Sequence, residues 1–135
     1  MNENQQLMDF LPPVSNFRNE TSGTITSYRI NQSQIENTER PALVFLHGFN
    51  GSSKSWACQF AHFTSQTVIA IDAPGFGESQ PVDGGMVAIA DEVAALIASL
   101  VTGKVVIIGH SMGGMLAQVL GATHPDICQA IILSC

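Results

Sequence analysis

Residues 105–120 read VVIIGHSMGGMLAQVL, and this stretch carries the clearest structural pattern in the chain. Four branched apolar residues run into GHSMGG (109–114), and apolar residues at helical spacing follow. A loop that only reverses the chain usually contains Asn, Asp or Pro. Here a glycine stands two residues before Ser111 and another two residues after it. The pattern predicts a buried strand, a very tight turn with Ser111 at its apex, and a helix.

The composition favours one folded domain. The 135 residues are 45% hydrophobic and 12% charged, which is too apolar for a disordered chain, and the length suits a single core. No apolar run approaches the ~20 residues that span a bilayer, so we expect no membrane partner. The net charge is -6, and the five Lys and Arg residues form no basic cluster. A nucleic-acid partner is therefore not expected either.

The cysteines and the N-terminus favour a reducing compartment. Cys58, Cys128 and Cys135 show no metal-ligand spacing, so no metal site is expected. Cys128 and Cys135 lie in or beside apolar runs, which is typical of small core residues. The first sixteen residues, MNENQQLMDFLPPVSN, have neither a basic start nor a long apolar core, unlike a secretory signal. These features predict a cytoplasmic protein.

Buried-type strands alternate with helices along the chain. We expect a loose leader over residues 1–23, a half-exposed strand over 24–30 and a hairpin connection over 31–40. Apolar runs predict buried strands at 42–46, 67–71, 104–108 and 130–133, and helices are predicted at 54–63, 86–100 and 112–123. Such alternation predicts an α/β fold, a doubly wound and mostly parallel sheet with helices on both faces.

The helix predicted at 86–100 is amphipathic. Apolar residues recur at helical spacing and should form its buried face, whereas Asp91 and Glu92 should face solvent. The expected buried residues are Val87, Ala90, Val93, Ala94, Ile97 and Val101.

The last predicted strand has consequences for the boundary of the domain. The sequence stops at Cys135, directly after the apolar run 130–133, so this strand should form an apolar sheet edge, which folds normally protect. We therefore expect residues 24–135 to be the N-terminal portion of a larger domain. We also expect the chain to self-associate through that edge.

The glycines around Ser111 have a steric explanation. A serine forced into a tight strand-to-helix turn needs neighbours without side chains, which Gly109 and Gly113 provide, and Gly114 lets the helix start close to the sheet. The turn lifts the serine oxygen clear of the sheet. It also places the Met112 N–H at a helix N-terminus, where negative charge is favoured.

The sequence G-x-S-x-G between a strand and a helix resembles the nucleophile elbow of the α/β-hydrolase family. Two further segments resemble that family's motifs in order and context. His47-Gly48-Phe49 is similar to its HG-x oxyanion turn, and DAPGFGES (72–79) is similar to its D-x-P-G-x-G-x-S loop. The resemblance covers residues 24–135.

This resemblance implies a serine hydrolase. Ser111 would be the nucleophile, and the N–H groups of Phe49 and Met112 would form the oxyanion hole, with Gly48 as part of the turn. The implied substrate is a small molecule with an activated carbonyl, such as an ester, thioester or lactone, which reacts through an acyl-enzyme without a cofactor. Serine at the elbow argues against the dehalogenase and epoxide-hydrolase branches, which use aspartate there.

Other interpretations of Ser111 fit less well. A purely structural turn would accept Gly or Asn more easily. A dinucleotide turn, G-x-G-x-x-G, needs glycine where Ser111 stands, and the G-K-[ST] of a phosphate loop is absent. A non-catalytic binding protein or remnant stays open. So does a carbon–carbon hydrolase, lyase, acyltransferase or cofactor-free peroxidase of the same fold.

No upstream histidine is predicted to be the general base. His47 and His110 should be structural or should line the pocket, as Trp56 can, while His62 and His124 should lie on the surface or at helix ends. Asp72 should tie its own loop. The family order is serine, then acid, then histidine, which implies that both partners lie beyond residue 135. The 135-residue chain alone should therefore be inactive.

Overall fold

The computed structural model describes residues 3–31 and 40–134. Its strands are β1 (Ser15–Arg18), β2 (Ile25–Ile30), β3 (Leu43–Leu46), β4 (Val68–Ile71), β5 (Val105–His110) and β6 (Cys128–Ser134). Its helices are α1 (Glu3–Met8), α2 (Ala57–His62), α3 (Gly85–Leu100) and α4 (Met112–Thr123), with short 3₁₀ turns at Ser53–Trp56 and Pro125–Ile127.

One sheet contains all six strands of the described residues, in the order β1-β2-β4-β3-β5-β6. The four strands β4, β3, β5 and β6 run parallel, and β2 and β1 continue the sheet in antiparallel pairing. Apolar residues pack on both faces because successive side chains of a strand point to opposite sides. The predicted doubly wound, mostly parallel α/β sheet is confirmed.

The two faces have separate apolar cores. On one face Leu46 and Ile71 pack with residues of α3 and α4. On the other face Phe45 packs with Trp56 and with Phe60 of α2. Neighbouring residues of β3 thus pack into opposite cores, which explains why its residues are all apolar and do not alternate with polar ones.

The N-terminal segment differs from the predicted loose leader. Ser15–Arg18 form β1 and pair with β2, with Phe17 opposite Thr26, and a short helix α1 precedes them. A four-residue edge strand that contains Ser, Asn and Arg has too few apolar positions to show a period. The predicted hairpin connection after residue 31 is wrong in its pairing, because β4 lies between β2 and β3. Residues 32–39 of that connection lie outside the described residues.

The predicted buried face of α3 is confirmed at four of its six positions, and a fifth residue, Val101, is partly buried against the same core. Ala90, Val93, Ala94 and Ile97 are buried, whereas Val87 is 54% exposed. Glu92, expected to face solvent, is buried and accepts a hydrogen bond of 3.0 Å from the Asn19 side chain. Asn19 follows β1, so this partner depends on a strand that the sequence pattern did not predict.

The strand β6 forms one edge of the described sheet, as predicted. It pairs with β5, and its Ile132 and Leu133 side chains are each about half exposed. Burial raises the pKa of the Cys128 thiol at its start, with a further contribution from the Asp126 charge, which agrees with an unreactive thiol. Cys135 lies outside the described residues. Among the described helices, none is long and apolar enough to cross a membrane.

Candidate active site

Ser111 occupies a strained turn between β5 and α4. Its φ is 52° and its ψ is -114°, and within the described ranges no other non-glycine residue has a positive φ. Such a conformation costs on the order of 1–3 kcal/mol and is concentrated at functional sites. The predicted tight turn with Ser111 at its apex is confirmed.

Two of the predicted glycines are sterically required. A Cβ at Gly109 would overlap the Gly113 carbonyl group, and a Cβ at Gly113 would overlap the Leu46 carbonyl at the end of β3. At Gly114 the constraint is weaker, since the nearest atom to a Cβ would be the Gly109 carbonyl oxygen at 3.4 Å. The backbone of α4 therefore makes its closest approach to β3 at Gly113. We expected this approach one residue later, at Gly114.

The elbow and the HGF turn share one cavity of about 460 Å³. The two turns are in close contact, because a Cβ at Gly48 would lie 3.4 Å from the Ser111 Cβ and 3.3 Å from the His110 ring. The structure thus brings together most of the predicted site residues, including His47, His110 and Trp56. The cavity is lined by His47, Gly48, Phe49, Asn50, Gly51, Ser55, Trp56, His110, Ser111 and Ser134.

The loop 72–79 lies on the far side of the HGF turn. The motif spacing predicts the Ser111 side chain between the HGF turn and this loop; this prediction is wrong, because the strand order β4-β3-β5 places the HGF turn in the middle. Phe76 of the loop packs edge-on against the rings of His47 and Phe49, with centroids 5.2 and 5.7 Å apart. The loop therefore supports the turn and, among the described residues, contributes none to the cavity lining.

Ser134 is a cavity residue that the sequence did not single out. It pairs with His110 across β5 and β6, and its carbonyl oxygen accepts a 3.0 Å hydrogen bond from the Ser111 N–H. The rule that parallel strands end at the same sheet edge could have placed Ser134 beside Ser111.

Two backbone N–H groups are available beside Ser111. The Met112 N–H is the first of α4 and has no acceptor within that helix. The Phe49 N–H makes no hydrogen bond with any residue of the described ranges. Phe49 and Met112 belong to the two turns in contact, so the geometry suits a site for a developing oxyanion.

His47 is buried, and both of its ring nitrogens are engaged. Nε2 accepts a hydrogen bond from the Ala73 N–H at 3.1 Å, so the proton lies on Nδ1, which donates to the Gly48 carbonyl oxygen at 2.7 Å. His47 therefore belongs to the turn as predicted and has no free nitrogen to act as a base.

The other histidines are not hydrogen-bonded to Ser111. His110 is exposed, with Nδ1 3.4 Å from the Ser134 hydroxyl. His62 is exposed on α2, and His124 at the end of α4 pairs with Asp91 at 2.8 Å. Within residues 3–31 and 40–134, no histidine nitrogen lies within hydrogen-bonding distance of the Ser111 hydroxyl.

Asp72 organises more than its own loop. One carboxylate oxygen accepts from the Ser53 N–H at 2.7 Å, and the other accepts from the Ser27 hydroxyl at 2.6 Å. The Asp72 carbonyl oxygen accepts from the Ser79 hydroxyl, also at 2.6 Å. Asp72 is buried and joins β2, the 3₁₀ turn and the loop 72–79. The distant partners Ser27 and Ser53 had no local sequence signal.

We expect Asp72→Ala to lower the free energy of unfolding by about 3 kcal/mol, because hydrogen bonds to a charged group contribute about 1.5–3 kcal/mol each. Asp72→Asn should cost less, since its amide oxygen still accepts one bond. Urea unfolding of the full-length protein that carries this chain measures the loss of stability in both variants. Asp91→Ala is the control, because an exposed pair contributes at most about 1 kcal/mol. Equal losses in Asp72→Ala and Asp91→Ala would contradict the assigned role.

Comparison with known proteins identifies the family. A sequence profile described as the alpha/beta hydrolase fold matches residues 41–135, which include the HGF turn, the loop 72–79 and the elbow. The chain belongs to the α/β-hydrolase-fold family. The resemblance predicted from its motifs is confirmed.

Several relatives of this α/β-hydrolase-fold chain are curated enzymes. It is 36% identical over 89 residues to 2-succinyl-6-hydroxy-2,4-cyclohexadiene-1-carboxylate synthase of Enterobacter sp. (strain 638), covering 63% of this chain and 33% of that protein. It is 33% identical over 97 residues to sn-1-specific diacylglycerol lipase ABHD11 of Mus musculus, covering 69% and 32%. The chain spans about a third of the length of these relatives.

A solved structure of an N-acyl homoserine lactone degrading enzyme is similar as well. It superimposes with a TM-score of 0.73 at 29% identity, over 88% of this chain and 44% of that one. The relatives thus include a synthase, a lipase and a lactone-degrading enzyme, and they support a general assignment to the hydrolase family.

Proposed function

We propose that this chain carries the nucleophile and oxyanion hole of a serine hydrolase that acts on an ester, thioester, lactone or similar activated carbonyl. The observation that carries the proposal is the positive φ of Ser111, at the end of β5, in a cavity that it shares with Gly48 and Phe49. Strain of this kind persists only where the surrounding structure holds it in place.

The proposed chemistry follows from the groups in the cavity. The Ser111 oxygen attacks the substrate carbonyl while a base takes its proton, and negative charge develops on the carbonyl oxygen. The N–H groups of Phe49 and Met112 donate to that oxygen, and each such donor contributes about 3–4 kcal/mol of transition-state stabilisation. The alcohol, thiol or ring oxygen then leaves with a proton. Water attacks the resulting acyl-serine and releases the acid.

The location of the general base is proposed from the order in which the catalytic residues follow one another in the family. His47 has both nitrogens engaged, and His110 is 3.4 Å from Ser134 rather than bonded to Ser111. The α/β-hydrolase order places an acid and then a histidine after the nucleophile. We therefore infer that both follow residue 135 in the full-length protein.

The substrate class is supported by the cavity and the relatives. A cavity of about 460 Å³ suits a small molecule. The names of two similar proteins, a diacylglycerol lipase and a lactone-degrading enzyme, refer to carboxylic esters and lactones. A second candidate, a non-hydrolytic reaction at the same cavity, is favoured by the 36% identity to a synthase.

We expect the full-length protein to form an acyl-enzyme. Mixed rapidly with p-nitrophenyl butyrate, it should release a burst of p-nitrophenolate equal to the enzyme concentration, provided that deacylation is slower than acylation. An acid quench should show a butyryl mass increase on the peptide that contains Ser111, and none in Ser111→Ala. A butyryl adduct on another residue, or turnover that persists in Ser111→Ala, would contradict the mechanism.

Residues 1–135 expressed alone should show no serine-dependent turnover. Without a base the Ser111 hydroxyl keeps its weak nucleophilicity, although the elbow and both N–H donors lie within this segment. Light scattering of the same sample tests the expected self-association through the half-exposed edge strand β6. A monodisperse monomer whose turnover is lost in Ser111→Ala would show that a base lies within these residues.

A further inference from the structure

The peptide unit between Gly48 and Phe49 is held from its carbonyl side. The Gly48 carbonyl oxygen accepts a hydrogen bond from the His47 Nδ1–H at 2.7 Å and another from the Gly51 N–H at 3.0 Å. A carbonyl oxygen has two lone pairs, so both are used. The carbonyl therefore has a fixed direction within the turn.

The same peptide unit contains the Phe49 N–H. No peptide bond of the described residues is cis, and in a planar trans peptide the C=O and the N–H point in opposite directions. The two bonds that fix the Gly48 carbonyl therefore also fix the Phe49 N–H. Phe49 is 71% exposed and its ring contacts Phe76 edge-on, so its side chain adds to the hold on the backbone but does not bury it.

The His47 ring is itself held by rigid neighbours. The ring is only 1% exposed, its Nε2 is bound by the Ala73 N–H, and Phe76 packs against it at 5.2 Å. Ala73 follows Asp72, whose carboxylate is anchored by Ser27 and Ser53. A continuous set of contacts thus leads from the buried sheet through His47 to the Phe49 N–H.

We propose that His47 is a positioning residue that aims the Phe49 N–H at the oxyanion through its Nδ1–H bond to Gly48. This inference rests on the proposed function. The alternative is that the ring only fills space beside Phe76, in which case the hydrogen bond at Nδ1 has no effect on turnover beyond its effect on stability.

Two substitutions separate the two ring contacts. The Nδ2 of asparagine occupies nearly the position of Nδ1, so His47→Asn keeps a donor for the Gly48 carbonyl and loses the acceptor for Ala73. The side-chain amide of glutamine reaches the position of Nε2, so His47→Gln keeps the acceptor for Ala73 and loses the donor for Gly48. Each variant loses one buried hydrogen bond, so the two should have similar melting temperatures.

The test is the kcat and KM of both variants in the full-length protein with p-nitrophenyl butyrate. His47→Gln should lower kcat on the order of 10²-fold with little change in KM, as the loss of an oxyanion donor does, and His47→Asn should lower it by less than about tenfold. Equal kcat values in the two variants, or an unchanged kcat in His47→Gln, would overturn the inference.

Ser111→Ala, measured in parallel, separates this inference from the proposed function. If Ser111→Ala retains turnover, the proposed function fails whatever the His47 variants do. If only the contrast between His47→Asn and His47→Gln is missing, the inference fails alone. Should both variants fail to fold, nitrogen-15 NMR of the wild-type ring decides: a proton on Nδ1 alone supports the inference, and a proton on Nε2 overturns it.

Discussion

Replacing Ser111 with alanine should lower kcat of the full-length protein by on the order of 10⁴- to 10⁶-fold, as the loss of a serine nucleophile does elsewhere. In the proposed mechanism the Ser111 hydroxyl oxygen is the reacting atom, so its removal should prevent formation of the acyl intermediate. Alanine keeps the Cβ and meets the same backbone strain at φ 52°. The melting temperature should therefore be unchanged while hydrolysis of p-nitrophenyl butyrate disappears.

A fluorophosphonate probe provides the matched control for Ser111→Ala. The probe should label the wild-type protein on Ser111 and should not label the variant. Ser134→Ala removes a second hydroxyl from the same cavity lining, and it should still be labelled because Ser111 is intact. Equal labelling of wild type and Ser111→Ala would place the nucleophile at another residue.

The parallel strands could be predicted from the sequence because each is an unbroken apolar run. The runs at 42–46 and 67–71 correspond to β3 (Leu43–Leu46) and β4 (Val68–Ile71). The observed β5 and β6 extend beyond the predicted 104–108 and 130–133, to His110 and Ser134. These last residues are polar, so backbone pairing rather than side-chain hydrophobicity decides where the two strands end.

Features that depend on distant partners could not be predicted. Nothing near Glu92 indicates that it is buried, because its partner Asn19 is 73 residues away. The short strand β1 is stabilised by pairing with β2 rather than by its own apolar pattern. The order β4-β3-β5, which puts the HGF turn between Ser111 and the loop 72–79, is likewise a property of the assembled sheet.

The elbow was predictable because its steric requirements are met by glycine in the local sequence. Gly109 is required by contact with Gly113 within the turn itself. Gly113 is different, since a Cβ there would meet the end of β3, the Leu46 and His47 carbonyls. Gly113 could thus be identified from the local sequence, although the atoms that exclude a side chain there belong to another strand.

Gly113→Ala should lower the free energy of unfolding by about 3 kcal/mol or more, because the added methyl group meets fixed backbone atoms and a packed interior accommodates extra volume poorly. The Leu46 carbonyl cannot rotate away without breaking the pairing of β3. The matched control is Gly114→Ala, where the nearest atom to the new Cβ lies at 3.4 Å. Helix propensity favours alanine over glycine by up to about 1 kcal/mol, so this variant should be as stable as wild type or slightly more stable.

Urea unfolding measures the free energy of unfolding of both variants. The comparison distinguishes contact with β3 from a general intolerance of α4 to substitution. Both glycines lie in the first turn of the helix, so a loss of stability in both would point to the helix N-terminus and not to β3. If Gly113→Ala keeps the wild-type stability, α4 can move away from β3, and contact with that strand does not hold Ser111 in its strained turn. If only Gly113→Ala is destabilised, the turn is held by the approach of α4 to Leu46. The same contact then fixes the distance between the Met112 N–H and the HGF turn, so kcat should fall with stability.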